Sequence, residues 1–111
     1  MREKSLTELT AEVIETFAGY DAQGTRHWTW ETAAKDLPYQ IGSLSKLILQ
    51  LSGDRWSEGK SDAQIKLEMS DELSDILAEV LFIASELNID MCKAWGNMLA
   101  SDRGKVGERV K

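Results

Sequence analysis

The sequence predicts an all-α fold, a four-helix bundle with one long central helix. Three observations carry that expectation. Four segments place apolar residues at helical spacing, and almost nothing alternates with the two-residue period of a strand. Eight glycines, one proline and 42% apolar residues suit an ordinary globular helical chain. The connections between the segments are short, which favours packing of successive helices against one another. At 111 residues the chain fits one domain, 1–111, long enough for a single core and too short for two. No internal repeat or low-complexity tract interrupts it.

The first helix is predicted from "SLTELTAEVIETFAGY", with Leu6, Leu9, Val13, Ile14 and Phe17 at helical spacing, Ser5 as its cap and Gly19 as its stop. A turn-rich connection, "DAQGTRHWTW", follows. The second helix carries Leu37, Ile41, Leu44, Leu47, Ile48 and Leu51 on one face. Pro38 is harmless in a first turn and disruptive in a helix interior, so this helix either starts near Leu37 with Asp36 as its cap or is kinked there. After the polar "DRWSEGKSDA", a third helix is expected from about Asp62 to Leu87. Its apolar stripe runs through Ile65, Met69, Leu73, Ile76, Leu77, Val80, Ile83, Ala84 and Leu87, wide enough for two neighbours, which makes it the central helix. Asp90 caps a fourth helix through Met91, Ala94, Trp95, Met98 and Leu99, ending in the charged tail "SDRGKVGERVK".

Charge and cysteine content narrow the functional classes. A net charge of −6 argues against nucleic acids and anionic membrane surfaces as partners, because both attract clustered cations. An acidic protein also repels a phosphorylated ligand unless a divalent cation mediates. The single cysteine, Cys92, forms no internal disulfide and fits a reducing compartment. With no apolar run of membrane-spanning length and no signal-type segment in "MREKSLTELTAEV", the cytoplasm is the expected location.

The third helix carries the most informative pattern. At roughly 100° per residue, Glu68, Glu72, Asp75, Glu79 and Glu86 fall within about 60° of one another, and the apolar stripe is centred about 110° away. They form one acidic ridge. Glu72 and Asp75, at its edge nearest the core, have Cβ atoms about 5–6 Å apart, close enough for two oxygens to reach one hard cation. A merely solvated helix face has the same pattern.

"DELSDIL", an apolar run and then "LNIDMCKAW" resemble the MazG-type all-α NTP pyrophosphohydrolases, a family that includes the small dCTP and dUTP pyrophosphatases. In that family a Glu-x-x-Asp pair opens the third helix and a short turn with a conserved-type Ile/Val-Asp step leads into the fourth. Glu72-Leu73-Ser74-Asp75 matches the pair, and Asn88-Ile89-Asp90 matches the turn. "YQIGSLSKLI" keeps Gly42 and Leu44 where the family's glutamate-glycine-glutamate-leucine segment has them. The resemblance spans about Trp28 to Lys105. It implies magnesium-dependent hydrolysis of a nucleoside triphosphate to the monophosphate and pyrophosphate, with manganese as a substitute ion, in a homodimer or homotetramer.

The resemblance assigns Glu72 and Asp75 as catalytic and metal-binding residues. The family's other two carboxylates, a Glu-x-x-Glu pair, fall on Gln40 and Ser43, which offer oxygens to a metal but neither neutralise its charge nor accept a proton. Asp36 would share the face of Gln40 if the second helix reached back that far, but Pro38 favours Asp36 as the cap; Asp71 and Glu79 are further substitutes. Trp28 and Trp30 fall where the base would be contacted, and Asn97 and Lys105 where phosphates would be met. The missing carboxylates leave an alternative, a catalytically inactive relative that binds a nucleotide or protein. A third reading is a purely structural helical oligomer.

The remaining residues have plainer readings. His27 has no second ligand nearby and reads as a surface histidine, and Cys92 reads as a small packing residue. Trp56 lies in a connection that would act as a lid, and Trp95 faces the core or a partner. Gly42 is explained by a close helix crossing. The broad apolar stripes of the second and third helices exceed what four short helices cover, which predicts at least a homodimer.

Overall fold

Four helices make up the regular structure of the chain, and no strand occurs among the described residues, 2–24 and 27–110, of the computed structural model. They are α1 (Leu6–Ala22), α2 (Trp30–Leu51), α3 (Asp62–Glu86) and α4 (Met91–Val110). Thr25 and Arg26 of the expected first connection, and Lys111 of the tail, lie outside the described residues. No helix among the described residues is long and apolar enough to cross a membrane.

Local chemistry sets the helix starts. Ser5 opens α1 with a reciprocal capping box, its Oγ accepting from Glu8 N–H at 3.1 Å while Ser5 N–H donates to Glu8 Oε1 at 3.2 Å. Thr29 Oγ1 accepts from Thr32 N–H and Ser61 Oγ from Gln64 N–H, each at 3.2 Å. Asp90 Oδ1 accepts from Lys93 N–H at 3.1 Å, the cap expected for α4. The third helix thus starts where its periodicity placed it.

Three boundaries differ from expectation. α1 does not stop at Gly19 but continues one turn to Ala22, where Gly24 at φ +81° leaves the helix in the left-handed region that glycine adopts freely. α2 begins at Trp30, not near Leu37, so Pro38 lies inside the helix and Asp36 is not its cap. Pro38 is exposed, and the tertiary packing of α2 overrides its cost. α4 continues through the charged tail to Val110, because Lys, Arg and Glu are good helix formers and no proline stops the run.

Packing centres on α2 and α3, which run antiparallel and form the most extensive helix pair. Their register places Asp36 by Glu79, groups Gln40 with them and with Asp75, and further along groups Ser43 and Leu47 with Glu68 and Glu72. α1 packs on α3 through Phe17, edge-on to Phe82 at a centroid distance of 4.4 Å. The buried apolar core consists of Ala33, Leu47, Ile65, Leu81, Phe82 and Ala84. Of the expected α3 stripe Ile65 and Ala84 are buried and Met69, Ile76, Val80 and Ile83 half-buried, while Leu81 and Phe82, outside it, join the core. Leu73 is 52% exposed and Leu77 43%.

The α2–α3 connection is fixed by Gln50, buried at the end of α2, whose Nε2 donates to the Trp56 carbonyl at 3.2 Å. Its Oε1 accepts from Lys60 Nζ at 3.4 Å. Trp56 itself is 78% exposed and covers nothing. α4 packs chiefly against α1, and only through its first turn: Ile89 to Cys92 sit beside Leu6, Thr7, Thr10 and Ile14. Cys92 is exposed, not a packing residue, with its Sγ 3.7 Å from Thr7 Oγ1.

The chain is open for its size. Its radius of gyration is 17.5 Å, against about 13 Å for a compact domain of this length. Gly42 shows the same openness at one residue: a β-carbon built there meets nothing within 4 Å, so no close crossing within the chain explains it. Gly42→Ala is expected to raise the unfolding free energy by about 0.5–1 kcal/mol, read from the urea midpoint at unchanged slope.

Candidate functional site

The acidic ridge of α3 faces α2 and divides between two clefts on the seam. The first, of about 240 Å³, is lined on α2 by Asp36 and Gln40, on α3 by Asp75, Ala78 and Glu79, and at its mouth by Phe17, Tyr20 and Trp28. The second, of about 350 Å³, collects Ser43, Lys46 and Leu47 from α2 with Glu68, Asp71 and Glu72 from α3 and Lys60 from the connection. Glu72 and Asp75, three residues apart, therefore open into neighbouring clefts.

Glu79 is the unusual residue of the first cleft. It is only 4% exposed, and neither carboxylate oxygen takes a hydrogen bond from any described residue. Its neighbours Asp36 and Asp75 are themselves carboxylates and have no hydrogen to give when ionised. Burial first, then a hydrogen bond to Asp36 that needs the proton on Glu79, then the charges of Asp36 and Asp75, push its carboxyl up to about 7. Gln40 Nε2 donates to Asp36 Oδ2 at 3.1 Å, holding Asp36 toward the seam and leaving the amide oxygen of Gln40 as an acceptor.

In the second cleft the negative charge is partly answered. Lys60 Nζ lies 3.1 Å from Glu68 Oε2 and 3.7 Å from Glu58 Oε2, and Lys46 Nζ lies 3.5 Å from Glu58 Oε1. Glu58 adopts φ +60°, a left-handed conformation uncommon for a residue with a side chain, and so reaches both lysines. Glu72 is half-buried with Oε2 out of solvent, and burial followed by repulsion from Asp75 and Asp71 raises its carboxyl above the usual range.

The aromatic residues expected near a base are separated. Trp28 joins Phe17, with ring centroids 5.7 Å apart, at the mouth of the first cleft, whereas Trp30 starts α2 and is 38% exposed outside it. Asn97 and Lys105 are exposed on the part of α4 beyond its contact with α1 and line neither cleft. His27 pairs at the surface with Asp21, Nδ1 to Oδ2 at 2.8 Å. Lys46, Lys60 and Gln50 join the seam without a sequence signal, since a lone lysine or glutamine on a helix carries no spacing that marks it.

The donor chemistry of the first cleft suits a hard divalent ion, with carboxylate oxygens from Asp36, Asp75 and Glu79 and an amide oxygen from Gln40. Among the described residues no three acidic, histidine or cysteine side chains already converge as an ion-holding group, so coordination there requires side-chain rotation. No protein-family model, curated protein or solved structure matches the chain.

The buried carboxyl makes stability depend on pH in a defined direction. Glu79 keeps its proton in the folded chain up to about 7 and loses it near 4.5 when unfolded, so stability falls as pH rises between those values. Glu79→Gln is expected to flatten this dependence and to stabilise the chain by up to about 3 kcal/mol at pH 8, measured by urea unfolding from pH 4.5 to 8.

Proposed function

We propose that the α2–α3 seam binds magnesium, or manganese in its place, and through it the phosphates of a nucleoside triphosphate, as a MazG-like pyrophosphohydrolase releasing the monophosphate and pyrophosphate. One observation carries this reading: Glu79, buried with no described residue donating a hydrogen bond to its carboxylate, shares a cleft with two more carboxylates supplied by two different helices. Such a cleft is unfavourable as three bare charges and is relieved by a proton or a cation. A bound divalent ion would supply charge neutralisation of the triphosphate and a more acidic water.

The chain's own residues supply the rest. Asp75, Asp36 and Glu79 would hold the ion, with the Gln40 amide oxygen, while Glu72 is placed one step along the seam to accept a proton from an attacking water. Trp28 and Phe17 offer rings at the cleft mouth on which a base can stack. The same reading places the protein in the reducing cytoplasm as a homodimer or homotetramer, with no role for nucleic acid or membrane surfaces.

A second reading, a catalytically inactive relative that binds a nucleotide or protein, is favoured by one feature. Gln40 and Ser43 bring no charge to the α2 side of the seam, and Lys60 already answers Glu68. Thermal unfolding at increasing magnesium or manganese, run beside a pyrophosphate-release assay on the common triphosphates, separates the two. Turnover, together with a midpoint that rises as expected for about 2.7 kcal/mol of stabilisation at a hundredfold excess over Kd, supports the enzyme, and Asp75→Asn removes both. A rise without turnover supports the inactive relative, and no rise with either ion defeats both metal-based readings.

A further inference from the structure

We propose that α4 is an exchange arm: in a homodimer, the apolar face of α4 from each chain seats in the α1/α3 groove of the other. This rests on the homodimer reading above and adds the surface that forms it.

The groove is an open apolar channel of about 320 Å³ between α1 and α3, with Leu9, Val13 and Phe17 on one wall and Leu77, Ala78 and Leu81 on the other. In a closed bundle the fourth helix would fill such a channel. The chain's own α4 does not: its first turn docks beside Thr7, Thr10, Ala11 and Ile14, a face of α1 turned roughly 120° from the groove. Beyond Cys92 every described residue of α4 through Gly107 is exposed except the half-buried Ala94 and Leu99. Beyond that first turn the helix leaves the body with Trp95 and Met98 of its apolar face exposed.

That face has the form the groove needs. Met91, Trp95, Met98 and Leu99 recur at spacings of four, three and one residues along a single stripe, and Trp95 and Met98 remain 53% and 42% exposed. Charge selects the same occupant. Residues 1–90 carry eight basic and seventeen acidic side chains, a net −9, whereas residues 91–111 carry five basic and two acidic, a net +3. The basic arm is attracted to the acidic body of another copy and repelled by another arm.

Area sets the scale. The chain exposes 8351 Å², against about 6,100 Å² for a compact monomer of 12.4 kDa. The excess of about 2,200 Å² per chain exceeds the roughly 800 Å² per partner of a standard interface and reaches the range of obligate dimers. Exchange of two arms uses each groove once and closes the assembly about a two-fold axis. The groove also shares Phe17 and Ala78 with the first acidic cleft, so a seated arm brings the partner's α4 alongside a cleft that has no cation of its own lining it.

The test uses two full-length chains, both with Cys92→Ser, one carrying Met98→Cys and the other Leu77→Cys, co-expressed and treated with a short thiol-specific linker. Light scattering is run on each, and on Trp95→Glu. The expected results are a dimer, a covalent adduct between the two different chains, and at least a tenfold weaker dimer for Trp95→Glu. A dimer that yields no mixed adduct, or one unaffected by Trp95→Glu, overturns the arm while leaving the homodimer standing. A monomeric parent chain overturns both.

Discussion

The antiparallel contact between α2 and α3 buries a carboxylate, and much else in the molecule follows from that. A helix pair is normally held by apolar rows, and here Ala33, Leu47, Ile65 and Phe82 supply them toward the ends of the seam. Between them the facing row of α3 is acidic, and Glu79 is drawn to 4% exposure opposite Asp36. Desolvating that carboxylate opposes folding unless a proton or a cation answers it. The seam is thus a structural joint with an unsatisfied electrostatic demand, greatest at Glu79 in the first cleft and weaker at Glu72 in the second. In the second, Lys46 and Lys60 answer the neighbouring acids directly.

The same seam explains why the outer surfaces remain open. With α2 and α3 facing each other, α3 has one side left for α1, and α1 covers only part of it, leaving Leu73 and Leu77 exposed. A chain with this distribution cannot hide its apolar area by small adjustments. Its surface of 8351 Å² and radius of gyration of 17.5 Å both exceed those of a compact monomer of this size. Charge is segregated as well, acid in the body and base in α4, and opposite signs attract over a longer range than packing acts.

Much of the fold was legible because helices announce themselves by period and cap. Ser5, Asp90 and the acidic spacing of α3 are local signals, and local signals decide local structure. The failures were tertiary. Pro38 read as either the start of α2 or a kink inside it because its intrinsic cost is large, and the helix runs through it from Trp30, packed on α3. Gly42 read as a crossing point because glycine lowers helix propensity, and propensity cannot say which face meets a neighbour. The α3 stripe holds at Ile65 and Ala84 and is half-buried at Met69, Ile76, Val80 and Ile83, but it omitted the buried Leu81 and Phe82, because periodicity gives the main apolar face and not the further sides that neighbours cover. Glu72 and Asp75 were correctly turned toward α2, and their division between two clefts was invisible, since spacing on one helix does not contain the register of the other.

That register has a consequence for the acids missing from α2. Successive rungs of an antiparallel pair lie three or four residues apart on each helix, so Asp36, Gln40 and Ser43 meet Glu79, Asp75 and Glu72 in turn. A cluster built on the two rungs of Gln40 and Ser43 would draw two acids from α3 and none from α2. Shifted by one rung, the cluster at Asp36 and Gln40 draws Asp75 and Glu79 from α3 and one carboxylate from α2. The shift is possible only because α2 begins at Trp30: were Asp36 the cap, its side chain would turn back to the helix's own N–H groups. Continuation of the helix through Pro38 therefore does more than lengthen α2. It turns Asp36 to the seam, where the amide of Gln40 holds it, and it sets a half-buried carboxylate beside the buried Glu79.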